Sequence, residues 1–166
     1  MNSKREIIVE IFEEHSEVNF YSIRYSDNEL SEAECFFDKV LGEEDLEEDV
    51  EILSKLLDKI GENGAEPRHF RHAGTSRDKV AALPEYLSST NLRLYAIRLN
   101  EKIVILGNGG IKKTKTYNED PFLNECVETL KKIDRFIGSR INKGQTIIFR
   151  KELMGDLKFY IKNEKK

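Results

Sequence analysis

Two stretches of this chain concentrate side chains that could act on a phosphodiester. In the first, Lys112, Lys113 and Lys115 follow a glycine-rich segment and precede Tyr117. The second stretch, residues 66–91, carries a cluster of basic residues: Arg68, His69, Arg71, His72, Arg77 and Lys79. Arginine offers a planar fork to phosphate and histidine titrates near neutrality, so this cluster could bind a phosphate and move a proton. The competing interpretation of the second stretch is a loop of solvated charges.

The segment Gly107–Gly110 does not have the spacing of a nucleotide-binding loop. Neither GxGxxG nor GxxxxGK occurs, and a basic stretch rather than a helix follows the glycines. The segment is therefore predicted to form a bulge or turn in a sheet, or to bring its backbone against a ligand. His69 and His72 are only three residues apart, with no further ligand at a suitable spacing, so neither a metal nor another cofactor is predicted.

Charge is divided unevenly along the chain, whose formal net charge is −4. Residues 27–66 contain 15 acidic and 3 basic side chains, whereas residues 67–118 contain 10 basic and 3 acidic ones. A basic segment can form a local phosphate site even in an acidic protein. The acidic segment is either a solvated helix face or a surface that restricts where RNA docks.

Length and composition predict a single domain, residues 1–166, in the cytoplasm. The chain is long enough for a substantial core, and no stretch is long and apolar enough to span a bilayer. Cys35 and Cys126 are too few for a disulfide framework, and both fall in helical apolar patterns. We therefore expect buried free thiols and no membrane partner.

The candidate site is built on two predicted central strands. Residues 103–106 are a β-branched run typical of a strand buried on both faces. Asn100 and Glu101 fit a tight hairpin between this strand and residues 92–99. In that preceding strand, Leu92, Leu94 and Ala96 alternate with Arg93, Tyr95 and Ile97.

A basic strand is expected after the glycines, adjacent or nearly adjacent to the strand that carries Arg93. Neighbouring strands lie about 4.8 Å apart, so long side chains from both can reach one phosphate. Arg93, Lys113 and Tyr117 are therefore predicted to converge with His69 or His72 on one concave patch. The alternative is that Arg93 belongs to the solvated face of a strand.

The N-terminal half is predicted to contain two strands and two helices. The strands cover residues 5–12 and 18–25, and Ser26 or Asp27 caps the first helix. That helix ends near Gly42. The two helices are predicted to pack antiparallel and to bury Leu30, Ala33, Phe36, Phe37 and Val40 from the first, with Leu46, Val50, Leu53, Leu57 and Ile60 from the second.

The C-terminal half is predicted to contain one helix and a hairpin. Asp120 followed by Pro121 is typical of a helix start, and Gly138 is expected to end that helix. Residues 146–149 and 157–161 are predicted to pair as a final hairpin. The buried stripe of the helix is Phe122, Cys126, Leu130, Ile133 and Ile137. These elements predict an α+β fold with a central antiparallel sheet and the helices on one side.

The order of elements resembles the RelE/HigB-like toxins of bacterial type II toxin–antitoxin systems. NFYSIRYSDNELSEAECFFDKVL is similar to their first strand and helix, and LLDKIGENGA to the end of their second helix. LRLYAIRLNEKIVILGNGGIKKTKTY resembles their central strands, including a lysine pair after glycine, and NEDPFLNECVETLKKI resembles their C-terminal helix. The resemblance covers residues 19–137 and implies a RelE-like fold with an extra terminal hairpin.

The resemblance implies an endoribonuclease that cleaves mRNA, in many members on the ribosome, without a metal. The RNA's own 2′-hydroxyl attacks the adjacent phosphate, and the protein moves protons and stabilises the phosphorane. Arg93 falls where the family has a strand arginine, and Tyr117 lies near its late aromatic residue. Lys112 and Lys113 match its basic pair, while His69, Arg71 and His72 lie in a loop where some members keep basic residues.

The family also implies a cognate antitoxin that neutralises the protein, covering its basic face. Two alternatives remain open from the residues alone. One is a non-catalytic toxin-fold module that binds a protein partner, and the other is a toxin of the same fold directed at gyrase.

Overall fold

The computed structural model describes residues 4–73, 79–84 and 90–162. Its helices are α1 (Glu32–Val40), α2 (Glu47–Asn63) and α3 (Pro121–Asn142). Its strands are β1 (Lys4–Glu14), β2 (Asn19–Tyr25), β3 (Arg71–His72), β4 (Val80–Leu83), β5 (Leu92–Arg98), β6 (Ile103–Ile111), β7 (Thr146–Phe149), β8 (Glu152–Gly155) and β9 (Lys158–Lys162). Seven of them form one sheet in the order β3-β4-β5-β6-β2-β1-β9, and β7 and β8 form a separate pair.

The α+β class is confirmed, but the prediction of an antiparallel sheet is wrong at its centre. Strands β2 and β6 run parallel, with Asn19 opposite Ile103 and Ser22 opposite Leu106. The other pairings within the sheet are antiparallel. Because β2 and β6 are far apart in the chain, the apolar pattern of each strand predicts that it is buried but not which strand it pairs with.

The helices lie on both faces of the sheet, so the prediction of helices on one side is also wrong. One core cluster joins α1 and α2 to strand residues such as Phe20 and Leu94. A second cluster joins α3 to Tyr21, Tyr95 and other residues of the opposite face. The alternation that placed Leu94 and Tyr95 on opposite faces of β5 is correct, and both faces of β2 and of β5 are covered.

Helix α1 begins later than predicted. Ser31, rather than Ser26 or Asp27, is its N-cap, and it forms a reciprocal capping box with Glu34. Leu30 therefore precedes the helix and is 37% exposed. The glycine at residue 42 follows the helix end with a φ of +90°, as the predicted stop requires.

The two N-terminal helices share one core, as their apolar stripes predicted. Val50, Leu53, Leu57 and Ile60 of α2 are buried in the cluster that also contains the fully buried Phe36 of α1. The acidic side chains of α2 lie at the surface, as a solvated helix face requires. Helix α2 continues to Asn63 and ends at residue 64, a glycine with a φ of +113°.

The glycine-rich segment is part of β6, which continues to Ile111, and the expected bulge lies within it. The register between β5 and β6 shifts between Leu94 and Ala96. The prediction of a basic strand after the glycines is wrong, because Lys112 to Thr116 have no strand partners and Tyr117–Glu119 is a short 3-10 helix.

The C-terminal half differs from prediction in two places. Asp120 caps α3 as expected, but the helix passes through Gly138 and ends at Asn142. The tail hairpin is formed by β7 and β8, whereas β9 joins the main sheet beside β1. Strand β1 has one edge that β2 does not pair with, and β9 pairs with β1 there. The hydrophobic pattern of β9 does not indicate which strand edge it pairs with.

Candidate functional site

Six of the predicted site residues line one pocket on the α3 side of the β3–β4–β5 edge. The cavity has a volume of about 210 Å³. None of the described residues that line it is Asp or Glu. They are Arg71, His72, Ala73, Ala82, Arg93, Tyr95, Lys112, Lys115, Thr116 and Tyr117.

Arg93 is the most constrained cation of this pocket. It belongs to β5 on the same face as Tyr95, and only 6% of its surface is exposed. Its Nη1 donates to the carbonyl oxygens of Thr90 and Leu92, at 2.6 and 3.0 Å. Burial, followed by the nearby charge of Arg71, lowers the pKa of the Arg93 guanidinium. Both effects disfavour an isolated cation, so an anion bound here would be stabilised.

Arg71 reaches the pocket from the edge strand β3. It lies opposite Ala82 of β4, and Ala82 in turn lies opposite Tyr95 of β5, so the three residues share the α3 face. The Nε of Arg71 donates to the carbonyl oxygen of Pro84 at 3.1 Å. The two arginines therefore approach the cavity from strands separated by one neighbour, and backbone carbonyls orient both guanidiniums.

The segment between β6 and α3 supplies the opposite wall. The amide of Lys112 donates to the carbonyl oxygen of Asn91 at 2.8 Å, which fixes where the segment leaves the sheet. Among the described residues, no ion pair involves Lys112 or Lys115. The Thr116 hydroxyl donates to Glu119 at 3.2 Å, so one carboxylate lies just outside this wall. The lysines thus offer positive charge opposite two guanidiniums that backbone carbonyls orient.

Two tyrosines form the floor and side of the cavity. The rings of Tyr95 and Tyr117 meet edge to face, with centroids 6.3 Å apart. Burial, followed by the charge of Cys126, raises the pKa of the Tyr95 hydroxyl. Tyr95 therefore stays protonated near neutrality, where its hydroxyl can donate or accept a hydrogen bond but does not carry a negative charge. Tyr117 is half-buried and is the more accessible of the two hydroxyls.

Three of the predicted site residues do not line this pocket. Lys113 is exposed on the segment after β6. His69 is only 3% exposed, and its Nδ1 accepts a hydrogen bond from the Glu66 amide at 3.3 Å. Arg68 is exposed and forms an ion pair with Glu66. Arg77, from the same basic cluster, lies outside the described residues.

His72 occupies an intermediate position. It lines the pocket at the sheet edge, but it lies opposite Ala81, whose side chain belongs to the core on the α1 and α2 face. Alternation along β3 thus places His72 and Arg71 on opposite faces. Its imidazole is exposed, so it can reach the cavity only around the edge of the sheet.

Tyr95 and Thr116 were not predicted as site residues. The sequence could have indicated Tyr95, because it lies two residues from Arg93 and so shares its face of the strand. The sequence could not have indicated Thr116, because the position of Thr116 depends on the path of an irregular segment between a strand and a helix.

Gly109 explains how Arg93 is held. A β-carbon added to Gly109 would lie 1.9 Å from the carbonyl oxygen of Arg93, closer than any real contact. The backbone of β6 must therefore approach β5 at this point without a side chain, which confirms the expectation of a bulge at the glycines. The glycine-rich segment positions the strand that carries the buried arginine.

The acidic segment is separated from the pocket by the sheet. Helices α1 and α2, which carry most of its carboxylates, pack on the face opposite to α3. A helix layer and a sheet are each about 10 Å thick, comparable to the screening length at physiological salt. The pocket can consequently remain a region of positive potential in a chain of net negative charge.

Among the described residues, no three His, Cys, Asp or Glu side chains are placed to hold a metal ion. No helix in this part of the chain combines the length and apolarity needed to cross a membrane. Comparison of the chain with family models, curated proteins and solved structures found no match. What the pocket does is therefore inferred from the chemistry of its side chains.

Proposed function

We propose that this protein is a toxin-like endoribonuclease whose cationic pocket binds the RNA backbone. The observation that carries the proposal is the convergence of Arg71, Arg93, Lys112 and Lys115 on a cavity with no acidic residue among its described lining. Cations from strands and from a separate segment would surround a phosphate from two sides. Tyr117 adds a ring on which a base could stack.

The reaction that fits these groups is attack of the RNA's 2′-hydroxyl on the adjacent phosphate. The new bond closes a 2′,3′-cyclic phosphate, the bond to the 5′-oxygen breaks, and the 5′-oxygen takes up a proton as the 2′-hydroxyl loses one. The two arginines would stabilise the charge that develops on the phosphorane, because their guanidiniums are already oriented before the substrate arrives. Tyr117, or His72 from the edge of the sheet, would move the proton. Lys112 and Lys115 would position the flanking phosphates.

A cytoplasmic enzyme that cut cellular mRNA, free or on the ribosome, would have to be held inactive. We therefore include a cognate antitoxin in the proposal. Positive potential at the pocket favours an acidic segment of that partner, which would occupy the place of the RNA phosphates.

Cleavage by the purified protein tests this function directly. Arg93→Ala should reduce the rate of RNA cleavage about a hundredfold, which corresponds to roughly 3 kcal/mol of lost transition-state stabilisation. Arg71→Ala should have a similar effect. The products should carry 2′,3′-cyclic phosphate ends, and a chelator should not change the rate.

The matched control is Arg135→Ala, since Arg135 is exposed on α3 and does not line the pocket. This variant should cleave at the parent rate. Circular dichroism of each variant separates lost chemistry from lost folding. Equal cleavage by the parent and both pocket variants would contradict the site.

One observation favours a second candidate, a non-catalytic module that binds an anionic partner. Neither predicted imidazole belongs to the cavity's face of the sheet: His69 is buried elsewhere, and His72, which lines the cavity at the sheet edge, belongs to the other face of β3. If the protein retained RNA in a binding assay at low salt but produced no new ends, and if Arg93→Ala weakened that binding, this second function would replace the first.

A further inference from the structure

A second polar cavity lies where the parallel strands β2 and β6 separate. Their pairing ends at Ser22 and Leu106, and the chain then continues from β2 into α1 and from β6 toward α3. These two helices pack on opposite faces of the sheet. Parallel neighbours whose connections leave toward opposite faces open a crevice at their carboxyl ends, and α/β proteins bind small ligands in such crevices. The cavity lies in this crevice and has a volume of about 250 Å³.

The lining of this cavity combines both signs of charge with neutral polar groups. Its volume is below the roughly 300–1,000 Å³ of pockets that hold drug-sized molecules, so it suits a smaller ligand. Strand β1, strand β6 and both helices contribute side chains, which therefore surround the space from several sides. The polar lining includes Arg5, Asn28, Glu32, Asn108, Glu125 and Thr129.

Arg5 provides an oriented cation on the β1 side. Its Nη2 donates to Asp27 Oδ1 at 3.0 Å, and its Cζ lies 3.8 Å from the centroid of the Tyr25 ring. Tyr25 is itself buried, and its hydroxyl is hydrogen-bonded to Thr129. The guanidinium is thus stacked on a packed ring, and the rest of its planar fork can receive a carboxylate.

Glu32 and Glu125 provide negative charge that the surrounding residues do not neutralise. Within the described ranges neither glutamate forms an ion pair, and the ion pair of Arg5 is with Asp27. Burial, the largest cause, raises the pKa of the Glu32 carboxyl, and the charge of Glu125 adds to the rise. The hydrogen bond from Asn108 and the charge of Arg5 offset this only in part. A cationic group bound between the two glutamates would therefore be stabilised.

We propose that this cavity binds a free α-amino acid, with its carboxylate on Arg5 and its ammonium group between Glu32 and Glu125. A ligand with a single charge would leave either the arginine or the glutamates without a partner, whereas a zwitterion pairs with both. Ile23 and Phe122 supply apolar surface for the ligand's side chain. The cavity shares no lining residue with the cationic pocket, so this inference does not depend on the proposed nuclease.

Isothermal titration of the full-length chain with each standard amino acid tests the site. At least one amino acid should bind the parent. Arg5→Gln and Glu32→Gln should each weaken that binding about tenfold or more, because each removes one charge-assisted contact. The carboxamide of the bound amino acid lacks the negative charge and its N-acetyl derivative lacks the positive one. Both derivatives should bind the parent at least about tenfold more weakly, which tests the site without any substitution.

Two matched controls remove the same charges outside the cavity. Lys4 is exposed at the start of β1, and Asp38 is exposed at the rim of a separate groove on the α1 and α2 face, whose lining includes Phe12 and Phe37. Lys4→Gln and Asp38→Asn should bind the amino acid as tightly as the parent.

Thermal denaturation with and without the amino acid gives a second readout. Glu32→Gln should stabilise the empty protein, because it removes a poorly compensated buried charge. The same variant should lose the stabilisation that the amino acid gives to the parent. A residue with only a structural role would not produce these two opposite changes.

A parent chain that binds no standard amino acid would overturn the proposal. Binding that neither Arg5→Gln nor Glu32→Gln weakens would place the amino acid elsewhere and would overturn it as well. Equal affinity for the amino acid and its carboxamide would show that Arg5 does not receive a carboxylate, and a zwitterion would then no longer be the ligand class.

Discussion

The pocket on the α3 face and a groove on the α1 and α2 face carry opposite charge and hold it in different ways. On the α3 face, backbone carbonyls orient Arg93 and Arg71 around a small cavity. On the α1 and α2 face, Asp38 and Asp58 stand at the exposed rim of a groove. Net charge, which is −4 for the whole chain, therefore describes neither face. The sheet separates a cationic pocket from an anionic groove within one acidic protein.

The two sites also differ in how firmly their charged groups are held. Preorganised guanidiniums suit chemistry in which charge develops at a fixed point, because no reorganisation is needed during the reaction. Exposed carboxylates around an apolar floor suit association, where charges select the partner and apolar contact stabilises it.

The largest effect is expected from Gly109→Ala. The added β-carbon would overlap the Arg93 carbonyl, so β6 and β5 would have to separate. We expect the free energy of unfolding to fall by about 3 kcal/mol. Chemical denaturation measures this loss.

Gly138→Ala is the control, because a β-carbon at that position of α3 has no atom within 4 Å. It should raise the free energy of unfolding by about 1 kcal/mol, since alanine is the better helix former. A Gly109→Ala variant as stable as the parent would show that the two strands do not approach as closely as described.

The next effect is the loss of positive charge at the pocket wall. Lys112→Ala combined with Lys115→Ala should weaken binding of single-stranded RNA about tenfold and should reduce the salt dependence of that binding. The corresponding groove variant, Asp58→Ala, should change neither quantity. Fluorescence anisotropy at several salt concentrations checks both, and an unchanged salt slope would remove the lysines from the interface.

A smaller effect is expected at the start of α1, on the groove face. Ser31→Ala removes the side chain that accepts from the Glu34 amide at 3.2 Å and should cost about 1 kcal/mol of stability. Ser26→Ala changes an exposed serine outside the cap and should cost almost nothing. If thermal denaturation finds the two variants equal, the cap assignment fails.

The smallest effect concerns Glu32, which lies where the two faces meet, in a polar cavity with Arg5, Asn108 and Glu125. Burial, the largest cause, raises the pKa of this carboxyl, and the negative charge of Glu125 adds to the rise. The pKa of this carboxyl is therefore higher in the folded state than in the unfolded state. As a result, the free energy of unfolding decreases as pH rises through the folded-state pKa and increases again as pH falls.

Glu32→Gln should therefore stabilise the protein slightly at neutral pH, and the gain should disappear in acid, where the parent carboxyl is protonated in both states. Glu125, Arg5 and Lys39 also face this carboxyl, and the variant leaves them unchanged. Unfolding followed from pH 4 to pH 8 measures the trend. A gain that grows toward acid would have the wrong sign.

The local sequence determined the elements and many of their details. Alternation in β5 assigned Arg93 and Tyr95 to one face, the spacing of leucines in α2 assigned its buried stripe, and Asp120 before Pro121 marked the start of α3. Each of these depends on residues a few positions apart, whose geometry follows from the period of a strand or helix. Three basic residues outside the pocket, Lys113, Arg68 and His69, show the limit of that reasoning.

Tertiary structure decided which elements meet. The parallel pairing of β2 with β6, the placement of α3 opposite α1 and α2, and the insertion of β9 beside β1 all join distant parts of the chain. An apolar strand face predicts burial equally well for any partner that covers it, because the hydrophobic effect is non-directional. The pocket depends on those pairings, since Arg71 and Lys115 approach Arg93 only once the sheet order and the path after β6 are set.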